Sequence, residues 1–137
     1  MGAVRAKVLL INAVDEALAR RGQLAPERIR RYEADALVDT GAVRCVLPAQ
    51  VVQQLGLNVR GQRVAEYADG RKESVGVTEA VIVDINGRDT LEEALILGDE
   101  VLIGQTVLEK LDLFVDCGGQ KLVPNPAHPD QPVTKVK

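Results

Sequence analysis

Residues 36–48, ALVDTGAVRCVLP, place a carboxylate between two apolar runs and directly before a small hydroxyl and a glycine: Asp39, Thr40 and Gly41. Flanked by Ala36, Leu37 and Val38 on one side and Val43, Val46 and Leu47 on the other, that carboxylate is costly to bury unless a partner offsets the cost. Either the turn is ordinary, or the acid is placed for proton transfer. Few other residues compete for a chemical role. The chain has one histidine, His128, in a Pro-rich segment, and two cysteines, Cys45 and Cys117. These cannot build the usual His/Cys zinc cluster or a Ser-His or Cys-His catalytic unit. Both cysteines lie in or beside apolar segments, so two buried free thiols are expected rather than a disulfide.

The frame that must position this turn is small. A chain of 137 residues, 46% hydrophobic and 27% charged, fits one globular domain with a modest core. A net charge of -3 provides no general attraction to nucleic acid or an anionic membrane. The opening residues, MGAVRAKVLLINAVDE, lack the apolar region and cleavage site of a secretory signal, and a cytoplasmic location is expected.

Punctuation along the chain predicts short strands joined by a few helices. RAKVLLI at 5–11 reads as a strand ended by Asn12, followed by two short helices, one from Asp15 to Arg21 and one opened by Pro26. Their Arg20, Arg21, Arg28, Arg30 and Arg31 form the basic cluster of the chain. With aromatic residues at 2% there is little to stack bases, and a solvated helical face is expected instead. EADALVD and AVRCVLP read as strands on either side of the Asp39 turn, and Val51, Val52 and Leu55 mark a short helix stopped near Gly56. Asp69-Gly70 sits between two alternating segments and predicts a long exposed hairpin. EALILGDEVLIG contains two further strands, QTVLEKLDL a helix, and LFVDCGGQKLV a final strand pair. Residues 1–123 are thus expected to form a single domain with a helical insertion at about 12–32, and residues 124–137 a loose Pro-rich tail.

A lone Asp-Thr-Gly arises by chance in roughly one in forty chains of this length, so the ordered set carries more weight. That set is ALVDTGA followed by VLP, then QLGL, the Gly70 hairpin, VLIG with a helix after it, and LDLFVD. Across about residues 33–123 the chain resembles a retropepsin-like (clan AA) aspartic protease, and most of all the small single-motif bacterial type. The resemblance implies a mainly β fold: a closed acid-protease barrel with short helices, one lobe per chain. It further implies a homodimer cleaving a peptide or protein substrate, in which the Asp39 of each chain meets the other near a two-fold axis. Two such acids share one proton; the ionised one activates water and the protonated one polarises the scissile carbonyl. No metal or cofactor is needed. Catalytic roles then fall to Asp39, Thr40 and Gly41, and substrate contacts to Ala42, to Tyr67, Asp69 and Gly70 on the lid hairpin, and to Ile103 in the VLIG strand. Gly104 should leave room for close packing behind the loop. The chain departs from the pattern at Val43, where a small polar or acidic residue is usual, and at Gln105 and Thr106, where the viral enzymes have Arg then Asn or Asp. The alternatives are a non-catalytic dimeric peptide- or protein-binding module of the same fold, and an adaptor using the arginine-rich insertion.

Overall fold

In the computed structural model, which describes residues 3–136, the first aliphatic segment becomes strand β1 (Val4–Asn12). Alternation turns Val8 and Leu10 inward, where both are buried. β1 pairs antiparallel with β2 (Arg31–Val38), from Val4 opposite Val38 to Ile11 opposite Arg31. The connection between them holds helix α1 (Ala13–Arg20) and one 3-10 turn at Pro26–Arg28. Asn12 ends β1 and caps α1: its Oδ1 accepts from the Asp15 N–H at 3.0 Å, and its Nδ2 donates to the Leu55 carbonyl at 2.8 Å. Arg30 is drawn into the same node. Its Nε and Nη2 donate to the two oxygens of buried Asp15 at 2.8 and 2.9 Å, and this pairing holds the Asp15 carboxyl below its ordinary value. Arg20 pairs with Glu16 at 2.6 Å. Part of the basic cluster is therefore spent on internal contacts.

The remaining strands continue the sheet on both sides. β2 lies parallel to β9 (Leu102–Ile103), which pairs antiparallel with β3 (Val46–Leu47). β3 runs parallel to β8 (Leu95–Ile96), and β8 leads to the hairpin of β4 (Val59–Glu66) and β5 (Lys72–Thr78). On the other flank β1 pairs with β6 (Val81–Ile85), which forms a hairpin with β7 (Arg88–Glu92). The order is β4-β5-β8-β3-β9-β2-β1-β6-β7, a curled sheet ending in β4 and β7. Helices α2 (Ala49–Gln54) and α3 (Gln105–Leu111) pack Val51, Val52, Val107 and Leu111 onto the core with Leu47 and Ile103. A separate ribbon joins β10 (Leu113–Asp116) to β11 (Lys121–Pro124). Among the described residues no helix is long and apolar enough to cross a membrane.

Three expectations are corrected. The strand expected over AVRCVLP is reduced to Val46–Leu47, because the Ala42 and Val43 carbonyls bond to α3 instead of to a neighbouring strand. The segment after Gly70 is not one long arm: β5 ends at Thr78, and β6 begins at Val81 as the first strand of a second hairpin, which turns at Asn86-Gly87, where both φ angles are positive, 54° and 86°. Cys45 is buried, and burial pushes its thiol up to about 12, but Cys117 is exposed in the β10–β11 turn rather than buried. The Pro-rich tail has no regular structure, and Asn125, His128 and Val133 bond it to Asp112.

Candidate active site

β2, which lies between antiparallel β1 and parallel β9, delivers Asp39 to the surface. The Leu37 N–H donates to the Val101 carbonyl at 2.9 Å and the Asp39 N–H to the Ile103 carbonyl at 3.0 Å, so the main chain is tied on both sides of Val38. Beyond Asp39 the chain reverses: the Ala42 N–H donates to the Asp39 carbonyl at 3.1 Å, and the Gly41 N–H donates to Asp39 Oδ1 at 2.9 Å. This is an Asx turn, and it sets the carboxylate's orientation. A Cβ at residue 41 would lie 3.2 Å from Oδ1, tighter than ordinary contact, so glycine suits the position. Oδ2 has no hydrogen-bond partner among the described residues. Asp39, Thr40 and Gly41 are all exposed. Within one chain the acid is therefore presented to the outside, and the apolar flanks seen in the sequence, Ala36, Val38 and Leu47, are buried beneath it.

The floor of this loop is α3. Gln105 and Thr106 donate their N–H groups to the Ala42 and Val43 carbonyls at 2.7 and 3.1 Å; these are first-turn amides that a helix leaves unpaired. Gly104 permits the approach: a Cβ there would stand 2.6 Å from the Arg44 oxygen and 2.8 Å from the Ala42 oxygen. The close packing expected at Gly104 is present. Arg44 adds a tether that sequence reasoning missed, its Nη2 donating to the Glu93 carbonyl at 3.0 Å. A contact spanning that much chain leaves no local signal. Lys110 of α3 also pairs with buried Glu92 of β7.

The remaining residues expected at the site divide into two groups. Ala42 is half-buried and lies in the Asp39 turn. Ile103 is fully buried, so its side chain belongs to the core and it meets the loop through its carbonyl. Tyr67, Asp69 and Gly70 lie at the tip of the β4–β5 hairpin, where the Tyr67 N–H donates to the Arg71 carbonyl at 2.8 Å and Asp69 Oδ1 accepts from the Arg71 N–H at 2.9 Å. Gly70 has φ 86° with open space around it. The Tyr67 hydroxyl donates to Glu73 at 2.6 Å, and the Arg71 guanidinium stacks 4.3 Å above its ring. The neighbouring Glu73 carboxylate raises the phenol above its ordinary value. No hydrogen bond or ion pair joins the hairpin tip to the Asp39 turn among the described residues.

Comparison with known proteins places this geometry. No curated protein matches the sequence. Among solved structures, the EIAV protease complexed with the inhibitor HBY-793 superposes with a TM-score of 0.56 at 18% identity, covering 79% of this chain and 86% of that one. The retroviral protease-like domain of Ddi1 from Leishmania major does so with a TM-score of 0.56 at 15% identity, covering 98% and 92%. At such identities these likenesses show a common fold, and that fold is the single-lobed, mainly β, retropepsin-like one. The family model described as "gag-polyprotein putative aspartyl protease" matches residues 25–110. That span holds the Asp39 turn, the hairpin and most of α3, and the chain belongs to this family of retropepsin-like aspartyl proteases.

Proposed function

We propose that the chain is an aspartic endopeptidase active as a homodimer, hydrolysing peptide bonds with a water held between two Asp39 carboxylates. One observation carries the reading: a single Asp39, exposed, with its orientation set by the Gly41 N–H and its main chain set by β9. One such acid is half of a general acid–base pair, and a two-fold axis through the exposed turn would supply the other half. At close range the two carboxylates cannot both ionise, so they hold one proton. The ionised member takes a proton from water as its oxygen attacks the scissile carbonyl carbon, and the protonated member hydrogen-bonds the carbonyl oxygen. Collapse of the tetrahedral intermediate breaks the C–N bond, and a proton passes to the departing nitrogen. The Thr40 hydroxyl, exposed and without a hydrogen-bond partner among the described residues, is available to brace the partner's turn. Ala42 would lie along the substrate, and the Gly70 hairpin, with Tyr67 and Asp69 at its tip, would close over an extended peptide.

The test mixes wild-type chains with Asp39→Asn chains under conditions where dimers exchange, using a diverse peptide mixture as substrate. Asparagine is nearly isosteric and cannot ionise. If each site needs one Asp39 from each chain, activity per wild-type chain falls in proportion to the wild-type fraction. A constant activity per wild-type chain would refute the shared dyad, and absence of cleavage by the wild type would favour a peptide-binding module without turnover.

A further inference from the structure

The Asp39 turn rests on one end of α3, and the other end of that helix is where the C-terminal tail is fastened. α3 runs over seven residues, Gln105–Leu111, about 10 Å of helix, too short to be stable by itself. Its placement therefore depends on what grips it. Lys110 and the buried Val107 and Leu111 hold its side. Its N-terminal amides grip the Ala42 and Val43 carbonyls. Its C-terminal end is gripped through Asp112, which adopts the left-handed conformation at φ 57° and ψ 48°, an uncommon state for a residue with a side chain.

The tail is bonded to Asp112 at several points. Asp112 Oδ1 accepts from Asn125 Nδ2 at 3.0 Å, and Oδ2 meets His128 Nδ1 at 2.7 Å and the Val133 N–H at 3.1 Å. The Asp112 carbonyl accepts from the Asn125 N–H at 3.0 Å. Arg88 of β7 closes the knot: its Nη1 donates to the Leu111 and Asp112 carbonyls at 3.0 Å each, and its Nη2 to the His128 carbonyl at 2.9 Å. One carboxylate thus gathers donors from three separate points of a segment that has no helix or strand of its own.

We propose that Asp112 is a positioning residue for the Asp39 turn: by gathering the tail it fixes the C-terminal end of α3, and α3 transmits that position to the loop carbonyls at Ala42 and Val43. The inference rests on the reading of Asp39 as the catalytic acid for its effect on turnover, while its mechanical part stands apart from that reading. Detaching the tail lets α3 move along its axis, and the Ala42 and Val43 contacts then open more often.

The experiment compares wild type with two full-length variants by residue-resolved hydrogen exchange and by peptide-cleavage kinetics. Asp112→Asn alters the knot itself. The double variant His128→Ala, Val133→Pro removes two of its donors while touching only the tail, which keeps the test open if Asp112→Asn fails to fold. The expected result is loss of protection at Asn125 and Ala127 together with about tenfold faster exchange at Gln105 and Thr106. In cleavage, kcat falls by a larger factor than KM rises, because the displaced turn carries the reacting acid and only one of the proposed substrate contacts, Ala42. Free tail amides with wild-type exchange at Gln105 and Thr106 would overturn the proposal, as would a tail that remains protected in both variants. A wild-type chain that cleaves nothing while showing coupled exchange supports the mechanical link and counts against the protease reading alone.

Discussion

At Gly104 the atoms that a side chain would meet are main-chain atoms of the loop after Asp39, at 2.6 and 2.8 Å, and they cannot swing aside as the end of a flexible side chain would. Gly104→Ala is expected to destabilise the fold by about 1–3 kcal/mol through overpacking, read as a lower urea midpoint, and to lower activity because the Asp39 turn shifts. An unchanged midpoint would mean that the loop gives way freely. Two carboxylates predict an acid limit on stability. Arg30 holds Asp15 below its ordinary value of 3.8, and Asn125 does the same for Asp112, aided by Val133 and His128. A group whose folded-state value is depressed contributes stability above its unfolded value and loses it as pH falls through the folded one. The urea midpoint is therefore expected to hold down to about pH 4 and to fall below it, with a shallower fall in Asp15→Asn. The same slope in that variant would remove Asp15 from the account.

Among the elements, the β4–β5 hairpin is the one whose mobility bears on the proposed reaction. Its tip is exposed, and Gly70 has φ 86° with no atom within reach of a Cβ, so a branched residue there strains the turn without disturbing the core. Gly70→Val is expected to cut turnover while leaving the cooperativity of unfolding nearly intact; unchanged cleavage would mean that the hairpin is not a lid. Long elements of this kind were legible in sequence because period-two alternation and an Asp-Gly turn are local signals. The Asn86-Gly87 hairpin carries the same kind of local signal. β3, β8 and β9, two residues each, carry almost no periodicity, and their boundaries follow from partners far away in the chain.

For the whole molecule, the proposed function makes the exposed Asp39 turn half of a site, so the assembly is the variable that tests it. Sedimentation is expected to show twice the 14.8 kDa chain mass; a strict monomer at high micromolar concentration with proteolysis intact would sink the shared-dyad mechanism. What the sequence determined by itself is what short-range chemistry dictates: the Asp39-Thr40-Gly41 turn, the glycine at 104, and the order of strands and helices that marks the family. What the tertiary structure decided is everything that depends on distant chain segments meeting. It placed Ile103 in the core, turned Arg30 from a surface charge into the partner of Asp15, and fastened the tail to Asp112. Those outcomes rest on contacts between residues far apart along the chain, and hydrophobic pattern and turn chemistry specify which face a residue presents but not which distant group it will meet there.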